Sequence, residues 1–202
     1  MKQNTPDMKP NTPNLLLALV LLAIPFGYAA YVYPSLPDTI PIHFNIKGEA
    51  DGFGGKDSIF LGPGIMAVTG LFTFFLLSNI KNFDPKRYKA ADDGMFKKLA
   101  LFVVAFLSIL ALLITFTSTN QNVNVAKLIL AFIGLCFSAL GWFMPKIHQN
   151  YFAGFKLPWT LENENNWNAT HAYAGKLWKI GGACIVLFTV ALPTTVASIA
   201  FI

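Results

Sequence analysis

Five stretches of this sequence stay apolar over the thickness of a lipid bilayer, and no other feature limits the fold as strongly. They are Leu15 to Tyr33, Ile59 to Ile80, Leu99 to Phe116, Val125 to Met144 and Ile180 to Ile202. About 20 helical residues, rising 1.5 Å each, cross roughly 30 Å of hydrocarbon, and a helix bonds every backbone N–H and C=O internally, as lipid requires. A water-facing alternative fails on charge. Only 12% of the 202 residues are charged, against about 25% in soluble domains. The expected fold is all-α integral membrane: five transmembrane helices, a short extended outer cap and an amphipathic interfacial helix on the inner side.

Lys and Arg set the direction. With the N-terminus inside and five spans, twelve of the fifteen basic residues fall on the inner side and three outside, as the positive-inside rule predicts. The N-terminus is therefore expected in the cytoplasm and the C-terminus outside. A signal peptide is a poor reading of the first run, which is longer than the usual signal core and ends in Tyr28, Tyr31 and Tyr33, an interfacial aromatic belt. The Pro- and Asn-rich residues 1–14 are expected to be a disordered tail. Thr117 to Asn124 is short enough to make the third and fourth spans a hairpin. Pro25, Pro63 and Pro193 mark kinks, and Gly62, Gly64, Gly181 and Gly182 mark close helix contacts. Cys136 and Cys184 lie in apolar runs and read as small hydrophobes, and the net charge of +5 flanks the spans instead of forming a nucleic-acid stripe.

Between the first two spans the chain alternates. Ile40, Ile42, Phe44 and Ile46 face one way and Pro41, His43, Asn45 and Lys47 the other, the period of a half-buried strand. Gly48 to Gly55 is read as turn-rich, and the loop 34–58 as a folded outer cap. His43, Glu49 and Asp51 suit a divalent ion chemically. A solvated strand face with an Asp that bonds its own turn explains them without metal, so no metal or other cofactor is expected.

On the inner side, Asp84 before Pro85 reads as a helix cap, with Tyr88, Ala91 and Met95 on one face and Lys86, Arg87, Lys89, Lys97 and Lys98 toward anionic headgroups. Thr160 reads as the next N-cap, with Glu162 and Glu164 in the first turn. Trp167, His171, Ala174 and Trp178 then share a helical face, the pattern of a helix lying at headgroup level. A catalytic His171 would need a partner, with Glu162, Glu164 and His148 as candidates, yet no HExxH, GxSxG, CxxC or P-loop motif occurs. The Asn168-Ala169-Thr170 sequon falls on the inner side and reads as coincidence.

Gly141, Asn150, Tyr151, Gly154, Pro158, Trp159, Thr160, Leu161, Trp167, Thr170, His171, Gly175 and Trp178 stand in an order that resembles the signature of the bacterial SdpI-type immunity proteins. Leu36, Pro37, Asp38, Ile40, Pro41, His43, Phe44, Asn45, Gly48, Asp51, Gly52 and Lys56 resemble the domain of unknown function that often precedes it. Two departures stand out: Lys156-Leu157 replaces an Arg-Thr pair, and Gln149 replaces a Pro. Lys cannot reproduce the bidentate geometry of Arg.

The resemblance implies a multi-pass protein of a bacterial cytoplasmic membrane. It would protect the cell from a secreted toxic peptide and hold a transcriptional repressor at the membrane, without enzymatic activity or direct nucleic-acid binding. Ligand contacts are expected at Pro37, Asp38, His43, Asn45, Asp51 and Lys56. The inner relay is expected at Asn150, Gly154, Pro158, Trp159, Thr160, Trp167, Thr170, His171, Gly175 and Trp178. Residues 15–80 are expected to form one unit and 81–202 a three-span unit with its signature loop at 145–179. A membrane enzyme, a metal-dependent protein and a small transporter are the alternatives.

Overall fold

The computed structural model describes residues 12–45, 47–85, 93–120 and 123–192. Residues 1–11 of the expected disordered tail, Ile46, Lys86 to Ala91 and the chain from Pro193 onward therefore lie outside the described residues, while Thr12, Pro13 and Asn14, also expected in that tail, are helical instead. Helix α1 covers Thr12–Val32, α2 Leu61–Ser78, α3 Ile80–Phe83, α4 Asp93–Thr119, α5 Val125–Phe143, α6 Pro158–Glu162 and α7 Glu164–Ala191. Among the described residues, five helical segments are long and apolar enough to cross a bilayer. Large side chains such as Val20, Val68, Phe72, Leu187 and Val190 stand exposed on their outer faces, surface that only hydrocarbon would solvate without cost. The chain is a multi-pass membrane protein.

Two groups of helices make up the bundle. α1 and α2 pack along α4, while α7 packs along α5. In the first group Gly70 lets Leu22 approach, and Ser108 Oγ donates to the Leu21 carbonyl at 2.5 Å. In the second, Gly134 and Gly141 of α5 face Gly182 and Gly175 of α7 at matching seven-residue intervals. A Cβ on Gly141 would lie 2.7 Å from the Gly175 carbonyl oxygen, and one on Gly182 would lie 2.5 Å from Ser138 N. The backbones touch, as small residues allow between helices in lipid, and Ser138 Oγ adds a bond to the Lys179 carbonyl at 3.1 Å. Of the glycines expected at close contacts, Gly182 is one and Gly62 sits near Ile114, whereas Gly64 and Gly181 face open space. The groups meet through the ring pairs Phe102–Phe143 and Phe106–Phe132, centroids 5.4 and 5.3 Å apart.

One end of the bundle carries a two-stranded antiparallel hairpin, β1 (Thr39–Phe44) against β2 (Ala50–Gly55). The turn-rich reading of Gly48 to Gly55 is corrected here, because Gly52, Gly54 and Gly55 belong to the second strand and only Gly48 precedes it. Gly52 has a reason to be glycine: a Cβ there would lie 2.8 Å from the Cβ of His43 across the ladder. The strict alternation of β1 also fails. Pairing slips between Pro41 and His43 and again between His43 and Phe44, so Ile40 and Pro41 are both buried while Ile42 and His43 are both exposed. An inserted residue rotates the side chains that follow it, which the period of two cannot show.

Candidate functional site

At the hairpin end the expected ligand contacts are in the open. His43 Nδ1 meets Asp51 Oδ1 at 2.5 Å, with the histidine side chain 72% exposed. Glu49 turns elsewhere: its carboxylate takes the Asn45 amide at 3.0 Å, while Asn45 Oδ1 accepts the N–H groups of Lys47 and Glu49 and so shapes the turn. The His43, Glu49 and Asp51 triad is thus not gathered on one point, and no group of three or more metal-ligating side chains exists among the described residues. Lys56 lies over the Tyr33 ring, 5.2 Å from its centroid, and its N–H bonds the Asp38 carbonyl at 3.0 Å. Tyr33 in turn donates its hydroxyl proton to Asp57. Pro37 and Asp38 are exposed on the connection to β1.

The opposite end holds a closed polar structure built by residues 144–178. Asn150 is buried and uses its whole amide: Nδ2 donates to the carbonyls of His148 and Ala153 at 2.8 and 3.1 Å, and Oδ1 accepts from Phe152 and Ala153, both at 2.7 Å. That turn leads to Gly154 at φ +114°, a conformation open to glycine, where a Cβ would also strike His171 Nε2 and the Trp167 ring. Trp167 is wholly buried, with its indole N–H 2.6 Å from the Ile147 carbonyl. His171 stacks on it, centroids 4.0 Å apart and 17° from parallel.

Both histidine nitrogens are used. Nε2 accepts the Phe155 N–H at 3.0 Å, and Nδ1 lies 2.8 Å from the Trp167 carbonyl. Since the first contact needs a lone pair and the second a proton, this network assigns the neutral Nδ1–H tautomer. Phe155 also meets Trp178 edge-on at 5.6 Å, and Trp178 meets Phe137 of α5 at 5.1 Å. Gly175 lets Pro145 pack against α7, where a Cβ would lie 2.9 Å from its ring.

Several expectations are corrected. The face of Trp167, His171 and Ala174 is not laid on an interface: all three are buried, and their helix runs unbroken from Glu164 to Ala191, into the expected fifth span. Thr160 is not an N-cap but the third residue of α6. Its Oγ1 accepts the Leu157 N–H at 2.9 Å and donates to the Phe155 carbonyl at 2.7 Å, while Asn163 caps α7 by accepting from Asn165 and Asn166. Asp84, whose expected helix start lies outside the described residues, is 5% exposed and accepts the Tyr151 N–H at 3.1 Å, tying the end of α3 to the loop. Pro158 and Trp159 stay outside this structure, with Trp159 56% exposed, and Thr170 is half-buried on α7.

Sequence reasoning missed three members. Gln149, noted only as a departure from a family pattern, donates its amide to the carbonyls of Thr160 and Leu161 at 2.7 and 2.9 Å. Phe155 supplies the N–H that His171 reads, and Asp84 the carboxylate that holds Tyr151. An acid directly before a basic stretch was the available signal for Asp84. Gln149 and Phe155 carried none.

Comparison with known proteins covers both ends of the chain. The model described as the SdpI/YfhL protein family matches residues 146–202, and that of a domain of unknown function, DUF1648, matches residues 20–67. The chain is 26% identical over 178 residues to the Immunity protein SdpI of Bacillus subtilis (strain 168), covering 86% of this chain and 80% of that protein. Over 54 residues it is 33% identical to an uncharacterized protein of Archaeoglobus fulgidus, covering 27% of this chain and 30% of the other. No solved structure matches the chain. The cluster of Asn150, Gly154, Trp167 and His171 thus lies inside the region similar to the SdpI/YfhL protein family, and the hairpin inside the region similar to DUF1648.

Proposed function

We propose that this protein is a non-enzymatic immunity and signalling protein of a bacterial cytoplasmic membrane. It meets a secreted toxic peptide at the hairpin end and relays that encounter to the signature loop, where a transcriptional repressor is held. The observation that carries the reading is the state of His171. Both ring nitrogens are committed to backbone groups and the ring is 1% exposed, so the histidine serves to fix the loop and not to transfer a proton. The similarity to the Bacillus immunity protein supports the same class.

In this reading the signature loop faces the cytosol, in keeping with Lys81, Lys98, Lys146, Lys156 and Lys176 exposed at its end of the bundle. The exposed Leu157, Pro158 and Trp159 are the partner-facing part, and the buried Trp167 and His171 hold them in place. A relay requires that the ligand bind two arrangements of the helices unequally.

Expression in a toxin-sensitive bacterium tests the reading. The wild-type chain is expected to restore survival, His171→Ala to abolish it with loss of folded protein, and Trp159→Ala to leave folded protein while releasing the repressor. No protection by the wild-type chain, with no change in repressor location on gene loss, rejects the proposal.

A further inference from the structure

Two clefts flank Pro41 at the hairpin end. The first, of about 310 Å³, lies between Val32, Pro37, Ser118 and Thr119; the second, of about 350 Å³, lies between Phe44, Glu49, Phe53 and Val123. Pro41 lines both, and the end of α4 with the residue after it gives Ser118, Thr119 and Asn120 to the first and Thr117 to the second, so the two adjoin along β1. Gly48 closes the far side, its Cα so near α5 that a Cβ would lie 2.9 Å from Ala126 N.

The donors that the end of α4 brings to the clefts are spent on the protein itself. Thr117 and Ser118 donate to the Ile114 carbonyl at 2.9 and 3.0 Å, Thr119 donates to Phe116 at 2.9 Å, and the Asn120 amide donates to the Phe116 carbonyl and to Thr119 Oγ1 at 2.9 and 2.8 Å. What these side chains offer a ligand is acceptor oxygen. α1 and α4 also both end beside the first cleft, placing the negative ends of two helix dipoles there. The second cleft is lined by apolar side chains apart from Thr117 and Glu49, whose carboxylate Asn45 orients at 3.0 Å.

We propose that the paired clefts form one binding site for an extended amphipathic peptide. Its cationic or amide-donor group sits against the carbonyl ends of α1 and α4, and a large apolar side chain enters between Phe44, Phe53 and Val123. Pro41 and Phe44 are three strand residues apart, about 10 Å, so the two anchors on an extended ligand stand two to four residues apart. This assignment rests on the immunity reading and moves its ligand contact from the exposed His43–Asp51 pair to the crevice beneath it.

The test uses the full chain in nanodiscs and a displayed library of random twelve-residue peptides. Recovered peptides are expected to pair a Lys or Arg with a large apolar residue at that spacing. They should lose at least tenfold in affinity for Thr119→Lys, which places a cation in the first cleft, and for Val123→Trp, which fills the second, while Asp51→Asn changes little. A wild-type helical circular-dichroism signal and unfolding midpoint show that each variant is folded; where one is not, the milder Thr119→Val replaces Thr119→Lys and Val123→Phe replaces Val123→Trp. Absence of binders, or binders indifferent to both variants, overturns the proposal, as does a fluorescent fatty acid that occupies the wild type and is excluded by Val123→Trp. Protection from toxin is scored separately: cells that survive with both variants keep the immunity function and refute this site alone, whereas no protection by the wild type refutes the immunity reading itself.

Discussion

The two ends of the bundle treat polar groups in opposite ways. At the hairpin end His43 and Asp51 pair in solvent, where an ion pair contributes about 0–1 kcal/mol. At the signature end Asn150, Thr160, Trp167 and His171 are each at most 4% exposed and are bonded to backbone. A buried polar group left unpaired costs about 1–3 kcal/mol, so every member of that set constrains the others. One end is built to be approached, the other to hold a single shape.

Substitutions break or sharpen that contrast. Gly154→Ala is expected to have the largest effect, because it sets a side chain at φ +114° and drives it into His171 and Trp167; strain and overpacking together give about 3 kcal/mol or more in a detergent unfolding titration. The matched change Gly55→Ala, whose added Cβ would find its nearest neighbour at 4.0 Å, should cost less than about 1 kcal/mol. Equal losses would remove the contrast. Next comes Trp167→Phe, which keeps the aromatic packing but orphans the Ile147 carbonyl, at about 2 kcal/mol. Asn150→Ala deletes four turn bonds and should cost about the same, with amide exchange rising at Phe152 and Ala153 while the hairpin stays protected. Asp51→Asn is the smallest, below about 1 kcal/mol; a loss as large as that of Trp167→Phe would show that the hairpin is also a stability element.

The spans were legible because lipid leaves a chain few choices: length and apolarity suffice to find Leu99 to Phe116 or Val125 to Met144. The partner of a helical face is another matter. Trp167, His171 and Ala174 form a true stripe, but periodicity reports only that one face differs from the rest. Whether headgroups or a folded-back loop covers it depends on residues 144–157, which have little regular structure. The same holds for β2, where glycines were read as a turn because they carry no side chains to alternate. Thr160 was misplaced as a cap since Pro158 starts the helix one turn-fraction earlier, while Asn163, the cap of α7, stood in an Asn- and Glu-rich stretch without distinction.

Helix α7 is unbroken over 28 residues, about 42 Å at the usual rise per residue. The glycine contacts with α5 sit along its middle and act as a fulcrum. In the proposed relay, a push on the α5–α7 pair at one membrane face would reappear as a swing at the other, where His171 grips the loop, without any change in the secondary structure of the rod.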